Sequence, residues 1–550
     1  MSRRGKLALG IVAVLHAGAL ILMAATEADW VARAAFLLSW ALLNCFWLAL
    51  FRRPAVAALL SLELVVALTL LSRFKFDKLW MTVDFVDVMI IDRDTSAFLL
   101  SVFPALRGWL ALAVAATVAL AFAAWRLDPN RLRRRNSVIG GTLCLGGLVA
   151  LSLWFPTDLQ EDFVGQNYVS KFARTGVEAV HELAGHGYLE SAAAVTASLP
   201  PAARCEPGQK LPHIILLHDE SSFDITMAPG IKVPPGYHRH FESLDGKSRK
   251  LVVEGVGGPS WFTEFNVLAG LSARSFGRFA TSVTRIAPGH LDRSLPLSLS
   301  RCGYKTFSLY PFYGAFLGSR VFQTSVGITH YLDMRDLGTT DFEADSFYFD
   351  QAAKIIAREH GNGPLFLYVY TVANHFPWDS RLRPELTPDW HDLGNAPDVE
   401  EYVRRQGMTA QDYRALLTRL AREFPAESFL IVRYGDHQPQ FGPRIVDPSV
   451  GKAELARRLT ALDPRYLTTY YAIDAVNFAP ADLSPALDTL DAAYLPLVIQ
   501  QAAGLPLDPG FAEQKAMLQR CQGRFYRCAD GNEARRFNRL LIEAGLVKGL

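Results

Sequence analysis

Five stretches in the first 155 residues are almost free of charge, and they constrain this chain more than anything that follows: about Leu7 to Ala25, Ala34 to Phe51, Ala55 to Leu71, Trp109 to Trp125 and Ser137 to Phe155. A bilayer needs ~20 apolar residues per helical crossing, so each run is predicted to span as a helix. The first run follows the basic start MSRRGK in the manner of a secretory leader. Its long apolar core, with further spans behind it, marks a retained anchor instead. Glu63 is the one carboxylate within the five runs. A single carboxylate is thin support for a translocation path.

Basic residues are enriched in cytoplasmic segments of membrane proteins. With the N-terminus inside, those segments carry Arg3, Arg4, Lys6, Arg52, Arg53, Arg126, Arg131, Arg133, Arg134 and Arg135. The opposite loops carry Arg33, Arg73, Lys75, Lys78, Arg93 and Arg107, diluted over a longer second loop. Five spans in this sense leave everything after Phe155 outside the cytoplasm. The expected location is the bacterial inner membrane, with the soluble part on the periplasmic side. The chain as a whole has 56 Lys and Arg against 54 Asp and Glu, a net charge of +2, which excludes a dedicated nucleic-acid binder.

Cysteine usage bears on the same point. Cys45 and Cys144 lie in apolar runs and read as small core residues. Cys205, Cys302, Cys521 and Cys528 lie in the soluble part, and an even number there fits an oxidising compartment. The spacing in CQGRFYRC suits a local Cys521–Cys528 bridge, which leaves Cys205 and Cys302 to pair over a long loop. Four free thiols are the alternative; a zinc site is disfavoured because no short-spaced CxxC occurs.

The domain organisation expected is a transmembrane region over 1–155, a membrane-proximal helical connector over 156–205 and a soluble domain over 206–550. In the connector, His181 and His186 read as interfacial polar residues and not as ligands. Beyond it the pattern changes to short apolar runs alternating with amphipathic stretches. HIILLH (213–218), KLVVEG (250–255), KTFSLYP (305–311), PLFLYVYTV (364–372) and SFLIVRYG (428–435) are continuous, not alternating. Such runs suit strands buried on both faces, as in a parallel sheet covered by helices. Helices are expected at Ser260 to Leu271, Phe349 to Glu359 and Ala410 to Glu423.

Open α/β sheets bind ligands at the carboxyl ends of their strands. Those ends read HDESS, GVGGPS, ANHFPW and YGDHQP, and together they collect Asp219, Glu220, Ser260, His375, Asp436 and His437. In YGDH, Asp436 and His437 can share one divalent ion if the backbone turns at Gly435; an Asp-initiated turn with a surface histidine is the bland alternative. Ser260 follows a glycine-rich turn at a helix start, where a serine is most often an N-cap. The same position presents free amides to a phosphate, and a metal beside it would make the hydroxyl a nucleophile. His375 can protonate a leaving oxygen or bind phosphate, or simply cap its loop.

A Glu after the first strand, a hydroxyl residue in PSWFTEF, NHFPW and then YGDH, in this order, resemble the lipoteichoic acid synthase and phosphoglycerol transferase branch of the sulfatase/alkaline phosphatase superfamily. The resemblance covers about Leu211 to Gln500, and the five-span anchor matches that branch as well. It implies a sulfatase-like α/β domain with a mostly parallel sheet, and one manganese, magnesium or zinc ion held by Glu220, Ser260, Asp436 and His437. Serine stands where many members have threonine. YPFYGAFLGSR resembles the headgroup-binding segment, its final arginine being Arg320, but the histidine and tryptophan found there in lipoteichoic acid synthases are missing. No C/S-x-P-x-R motif occurs, which argues against sulfate ester hydrolysis.

The reaction implied is two-step headgroup transfer from a membrane phospholipid to an envelope glycan or glycolipid. Ser260 is the nucleophile, with Arg320, His375 and Trp378 on the substrate, and phosphoglycerol is preferred over phosphoethanolamine. A membrane-bound metal-dependent phosphodiesterase or phosphatase is the second reading, and a non-catalytic envelope scaffold the third. Asp219 is left out unless a second ion is present.

Overall fold

The computed structural model describes residues 3–91, 93–158, 161–193, 195, 198–200, 205–206 and 210–550. The chain forms two compact units, Met1–Gly185 together with Gly451–Ala461, and His186–Val450 together with Leu462–Leu550.

The first unit contains five helices long and apolar enough to cross a membrane: Arg3–Thr26, Trp30–Phe51, Pro54–Leu79, Ala105–Leu127 and Arg134–Trp154. At 1.5 Å rise per residue, the shortest, with 21 residues, matches the ~30 Å hydrocarbon core. Each begins or ends a few residues beyond its apolar run, because polar flanks continue the helix to its caps. The expected connector divides. Its helix Tyr168–Gly185 packs in the first unit through Tyr168 and Val169 and through buried polar residues. Lys171 donates to Thr82 Oγ1 at 2.9 Å and Arg174 to the Phe155 carbonyl at 2.6 Å. The residues from His186 onward belong to the second unit. His181 and His186 are both exposed.

The second unit is built on one eight-stranded sheet in the order β4-β3-β5-β1-β6-β7-β2-β8. Its strands are β1 His213–Asp219, β2 Arg249–Val252, β3 Lys305–Leu309, β4 His330–Leu332, β5 Leu365–Thr371, β6 Phe429–Gly435, β7 Thr468–Val476 and β8 Thr489–Asp491. All neighbours are parallel except β7, which runs antiparallel to both β6 and β2. Every residue of β1, β5 and β6 is buried, as their unbroken apolar runs require. Its helices include Ser260–Ala269, Asp345–Glu359 and Pro397–Glu423.

Register sets up the site. Asp219 at the end of β1 pairs with Thr371 of β5 and Gly435 of β6. The three central strands therefore stop at one level, and the residues that follow them emerge side by side. Both expected disulfides form, Cys205–Cys302 and Cys521–Cys528, while Cys45 and Cys144 are free.

Candidate active site

Glu220 leaves β1, Asp436 and His437 leave β6, and Ser260 opens the helix that follows β2. The chain can bring the first two together because Gly435 has no side chain: a Cβ there would sit 1.8 Å from the Ser222 carbonyl oxygen. The glycine is needed for close approach. The turn expected at this position is absent, since Gly435 is the last residue of an extended strand. The crossing is secured at Ser221, whose φ of 51° is left-handed. Its N–H donates to Asp436 Oδ1 at 2.7 Å, its hydroxyl to Glu220 Oε1 at 2.9 Å, and its carbonyl accepts from Tyr402 at 2.8 Å. Such strain persists where neighbours over-determine it.

Ser260 is the first helical residue, and Pro259 before it occupies the cap. Its hydroxyl makes no capping bond. Instead Oγ donates to Glu220 Oε2 at 3.1 Å and lies 3.1 Å from His437 Nε2. His437 is oriented by Nδ1–H donating to the Gln438 carbonyl at 2.8 Å, which leaves Nε2 facing Glu220 Oε1 at 3.4 Å and Asp436 Oδ2 at 3.2 Å. Tyr370 from β5 donates to Glu220 Oε2 at 2.7 Å.

Electrostatics follow from this crowding. Burial alone would raise the Glu220 pKa, but the hydrogen bond and charge of His437 hold it well below the usual carboxylate range. Burial alone would lower His437, and the charges of Asp436 and Glu220 raise it to about 9. Burial lowers His375, opposed by the charge of Glu220, so His375 is within electrostatic range of the cluster. These are the signs of a strongly polarised, buried functional cluster.

The chemistry fits a divalent cation. His218, Glu220 and Asp436 each present one ligand atom, all within 4.8 Å of one another. Asp436 Oδ2 is buried without a hydrogen-bond partner, and a buried carboxylate oxygen left so is costly unless a cation meets it. Carboxylate and imidazole together are donors of the kind zinc and manganese take.

The other expected residues are placed as follows. His375 donates from Nδ1 to the Phe376 carbonyl at 2.6 Å, stacks on Phe376 and meets Phe342 edge-on. Its loop is held by Arg405, which donates to the carbonyls of His375, Pro377 and Ser380 at 2.8, 2.9 and 3.0 Å. Trp378 sits in a buried cluster with Phe223, Tyr402 and Phe441, and its indole N–H donates to the Asn374 carbonyl at 3.1 Å. Arg320 is 42% exposed and paired with Asp333 at 2.8 Å and Asp336 at 3.2 Å. Asp219 turns to His240 and Tyr470, away from the ligand atoms of the other three. Sequence reasoning passed over His218, Tyr370 and Arg405. A histidine ending an otherwise apolar buried strand was the available signal for the first.

Fold and site define the class: a sulfatase-like α/β domain, in a chain whose other unit is built of potential membrane spans. Residues 261–470 match the Sulfatase family model; this stretch includes Arg320, His375, Trp378, Asp436 and His437, and starts just after Ser260. The chain is similar to an uncharacterized protein of Haemophilus influenzae, at 23% identity over 287 residues covering 50% of this chain and 49% of that protein. The match therefore spans about half the length of that relative. Among solved structures it is similar to the Streptococcus pyogenes phosphoglycerol transferase GacH in complex with sn-glycerol-1-phosphate, with 15% identity, TM-score 0.49, 62% of this chain and 88% of that one. It is also similar to the Neisseria meningitidis lipooligosaccharide phosphoethanolamine transferase EptA, with 11% identity, TM-score 0.47, 86% of this chain and 95% of that one. At these identities and scores, nothing about headgroup or acceptor passes from them to this chain.

Proposed function

We propose that the protein transfers a phospholipid headgroup, phosphoglycerol in preference, to a hydroxyl of an envelope glycan or glycolipid through a phosphoserine at Ser260. The observation that carries this reading is the Ser260 hydroxyl at a helix N-terminus, 3.1 Å from both Glu220 Oε2 and His437 Nε2. A divalent ion, manganese, magnesium or zinc, held by Glu220, Ser260, Asp436 and His437 supplies the positive charge that favours the serine alkoxide and offsets charge on phosphate oxygens.

Ser260 Oγ attacks the headgroup phosphorus, an O–P bond forms, and the bond from phosphorus to the diacylglycerol oxygen breaks. Glu220 Oε2, to which the hydroxyl donates at 3.1 Å, is the acceptor within reach of the serine proton. The first-turn amides of the Ser260 helix face the phosphate with the positive end of its dipole. His375 supplies the proton for the leaving oxygen from Nε2, in the imidazolium form that the charges of Glu220 and Asp436 favour, while Nδ1–H stays on the Phe376 carbonyl. The acceptor hydroxyl then displaces Ser260 from phosphorus: its proton passes to His375, left neutral by the first step, the new O–P bond forms as the bond to Ser260 Oγ breaks, and Ser260 recovers its proton from Glu220. Arg320 is the substrate-side cation: exchanging aspartate for phosphate oxygens keeps its charge paired. Trp378 acts by packing under the His375 loop. Five potential spans put a lipid donor within reach, and two disulfides fit a periplasmic domain.

The test is mass spectrometry of the full-length protein after incubation with mixed phospholipids. The expected result is a phospho-headgroup adduct on the Ser260 peptide together with released diacylglycerol, the adduct mass distinguishing glycerol from ethanolamine. Full transferase turnover by Ser260→Ala, with no adduct on the wild type, would overturn it.

A further inference from the structure

We infer that His218 is an additional nitrogen ligand of the metal in this site and biases it toward zinc. The inference rests on the metal-dependent reading above and extends its ligand set by one residue.

Position is the first argument. His218 is fully buried, one residue before Asp219 at the end of β1. Side chains alternate across a strand, so His218 shares a face with Glu220. Its Nε2 lies 3.2 Å from Asp436 Oδ2, yet neither atom has a hydrogen-bond partner among the described residues. Two polar atoms at contact distance, buried, and not bonded to one another are unsatisfied twice over. A cation between them and Glu220 satisfies both.

Orientation is the second. His218 Nδ1 is 2.8 Å from the Tyr368 hydroxyl and 2.8 Å from the Tyr434 hydroxyl, which are themselves 3.0 Å apart. The ring stacks on Tyr370 at 3.7 Å with planes 13° apart, and Tyr370 in turn donates to Glu220. A ligating imidazole needs its second nitrogen hydrogen-bonded, which fixes both tautomer and ring angle. With the Nδ1 proton given to a tyrosine oxygen, the Nε2 lone pair points at the cluster. His437 is held in the same way by the Gln438 carbonyl.

The resulting donor set is two imidazoles and two carboxylates beside the Ser260 hydroxyl. Replacing an oxygen or water position with imidazole moves a site from magnesium or manganese preference toward zinc.

The experiment uses the full-length protein in detergent, stripped of metal and titrated with zinc or manganese against a chromophoric chelator. His218→Gln is expected to weaken zinc binding about tenfold or more while manganese binding falls much less. Tyr434→Phe leaves Tyr368 in place and is expected to give a smaller loss. A zinc affinity for His218→Gln equal to wild type overturns the inference. A folding defect in that variant cannot mask the answer, because X-ray absorption of the zinc-loaded wild type counts imidazoles directly: two are expected, and one overturns the inference. Neither readout requires turnover. A wild type that binds zinc through two imidazoles but forms no Ser260 adduct would sink the transferase reading and leave this one standing.

Discussion

The Arg405 guanidinium donates to the His375 carbonyl at 2.8 Å. One buried side chain thus fixes the loop that carries the proposed proton donor. The same group reaches Pro377 and Ser380 and is itself held by Glu401 at 2.6 Å. Lysine has the charge but not the planar fork. Arg405→Lys is therefore expected to leave loop carbonyls unpaired and to displace His375. A displacement of ~1 Å can cost about 100-fold in rate. Turnover should fall by ~10–100-fold with bound metal unchanged, as read by diacylglycerol release and metal analysis on the same samples. Loss of metal in step with activity would contradict this assignment.

Ser260 invites a substitution that keeps the hydroxyl. Ser260→Thr should retain measurable transfer, because Glu220 and His437 need only the oxygen that both residues provide, and Ser260 is not fully enclosed. Ser260→Ala should lose at least ~1000-fold, the usual scale for deleting a nucleophile that forms a covalent intermediate. The pair is compared by initial rates and by adduct mass. An inactive threonine variant that folds and binds metal normally would mean that the position has no room for a methyl group.

Much of this architecture is legible in the sequence. β1, β2, β3, β5 and β6 were visible as unbroken apolar runs, as buried strands are, although β2 stops at Val252 and not at the expected Gly255. β7 was not, since TTYYAIDAV mixes threonine, tyrosine and a charge, and three-residue β4 and β8 fall below any pattern. Glu220, Ser260, Asp436 and His437 could be named because each stands just past a strand or at a helix start. What local sequence could not supply is partnership. Arg320 acquires Asp333 and Asp336 only once the chain after β4 folds back. Trp378 beside a histidine reads as a binding wall, yet tertiary packing puts it into a cluster with Phe441 and Tyr402. His218 looked like the edge of a polar tail until two tyrosines from neighbouring strands were seen on its ring.

Gly435 offers a direct test of the strand crossing. A Cβ 1.8 Å from the Ser222 oxygen cannot be absorbed by a side-chain rotation, because the obstacle is backbone. Gly435→Ala should push the ends of β1 and β6 apart and separate Asp436 from Glu220. Overpacking of this kind costs ~1–3 kcal/mol or more, so a lower melting temperature and loss of bound metal are both expected. A variant with unchanged melting and metal content would show that the crossing has slack.

Asp345 gives a pH dependence of definite sign. Its carboxyl is buried at the start of the Asp345–Glu359 helix, accepting from Thr409 at 2.6 Å and from the Ala373 amide at 3.3 Å. Burial first, and then the charge of Asp219, hold its pKa well above the ordinary value in the folded protein. In the unfolded chain it ionises near ~3.9. Between those values the folded state binds the extra proton, so unfolding releases it and stability falls as pH rises. The contribution is complete below the unfolded value and is lost as pH climbs through the raised one. Asp345→Asn keeps the shape and removes the titration. Melting of the two proteins from acid to alkaline pH should diverge in one direction, the wild type losing more stability than the variant as pH increases. Parallel curves, or a wild type that gains on the variant with rising pH, would mean that Asp345 is ionised in the folded state and paired with a cation.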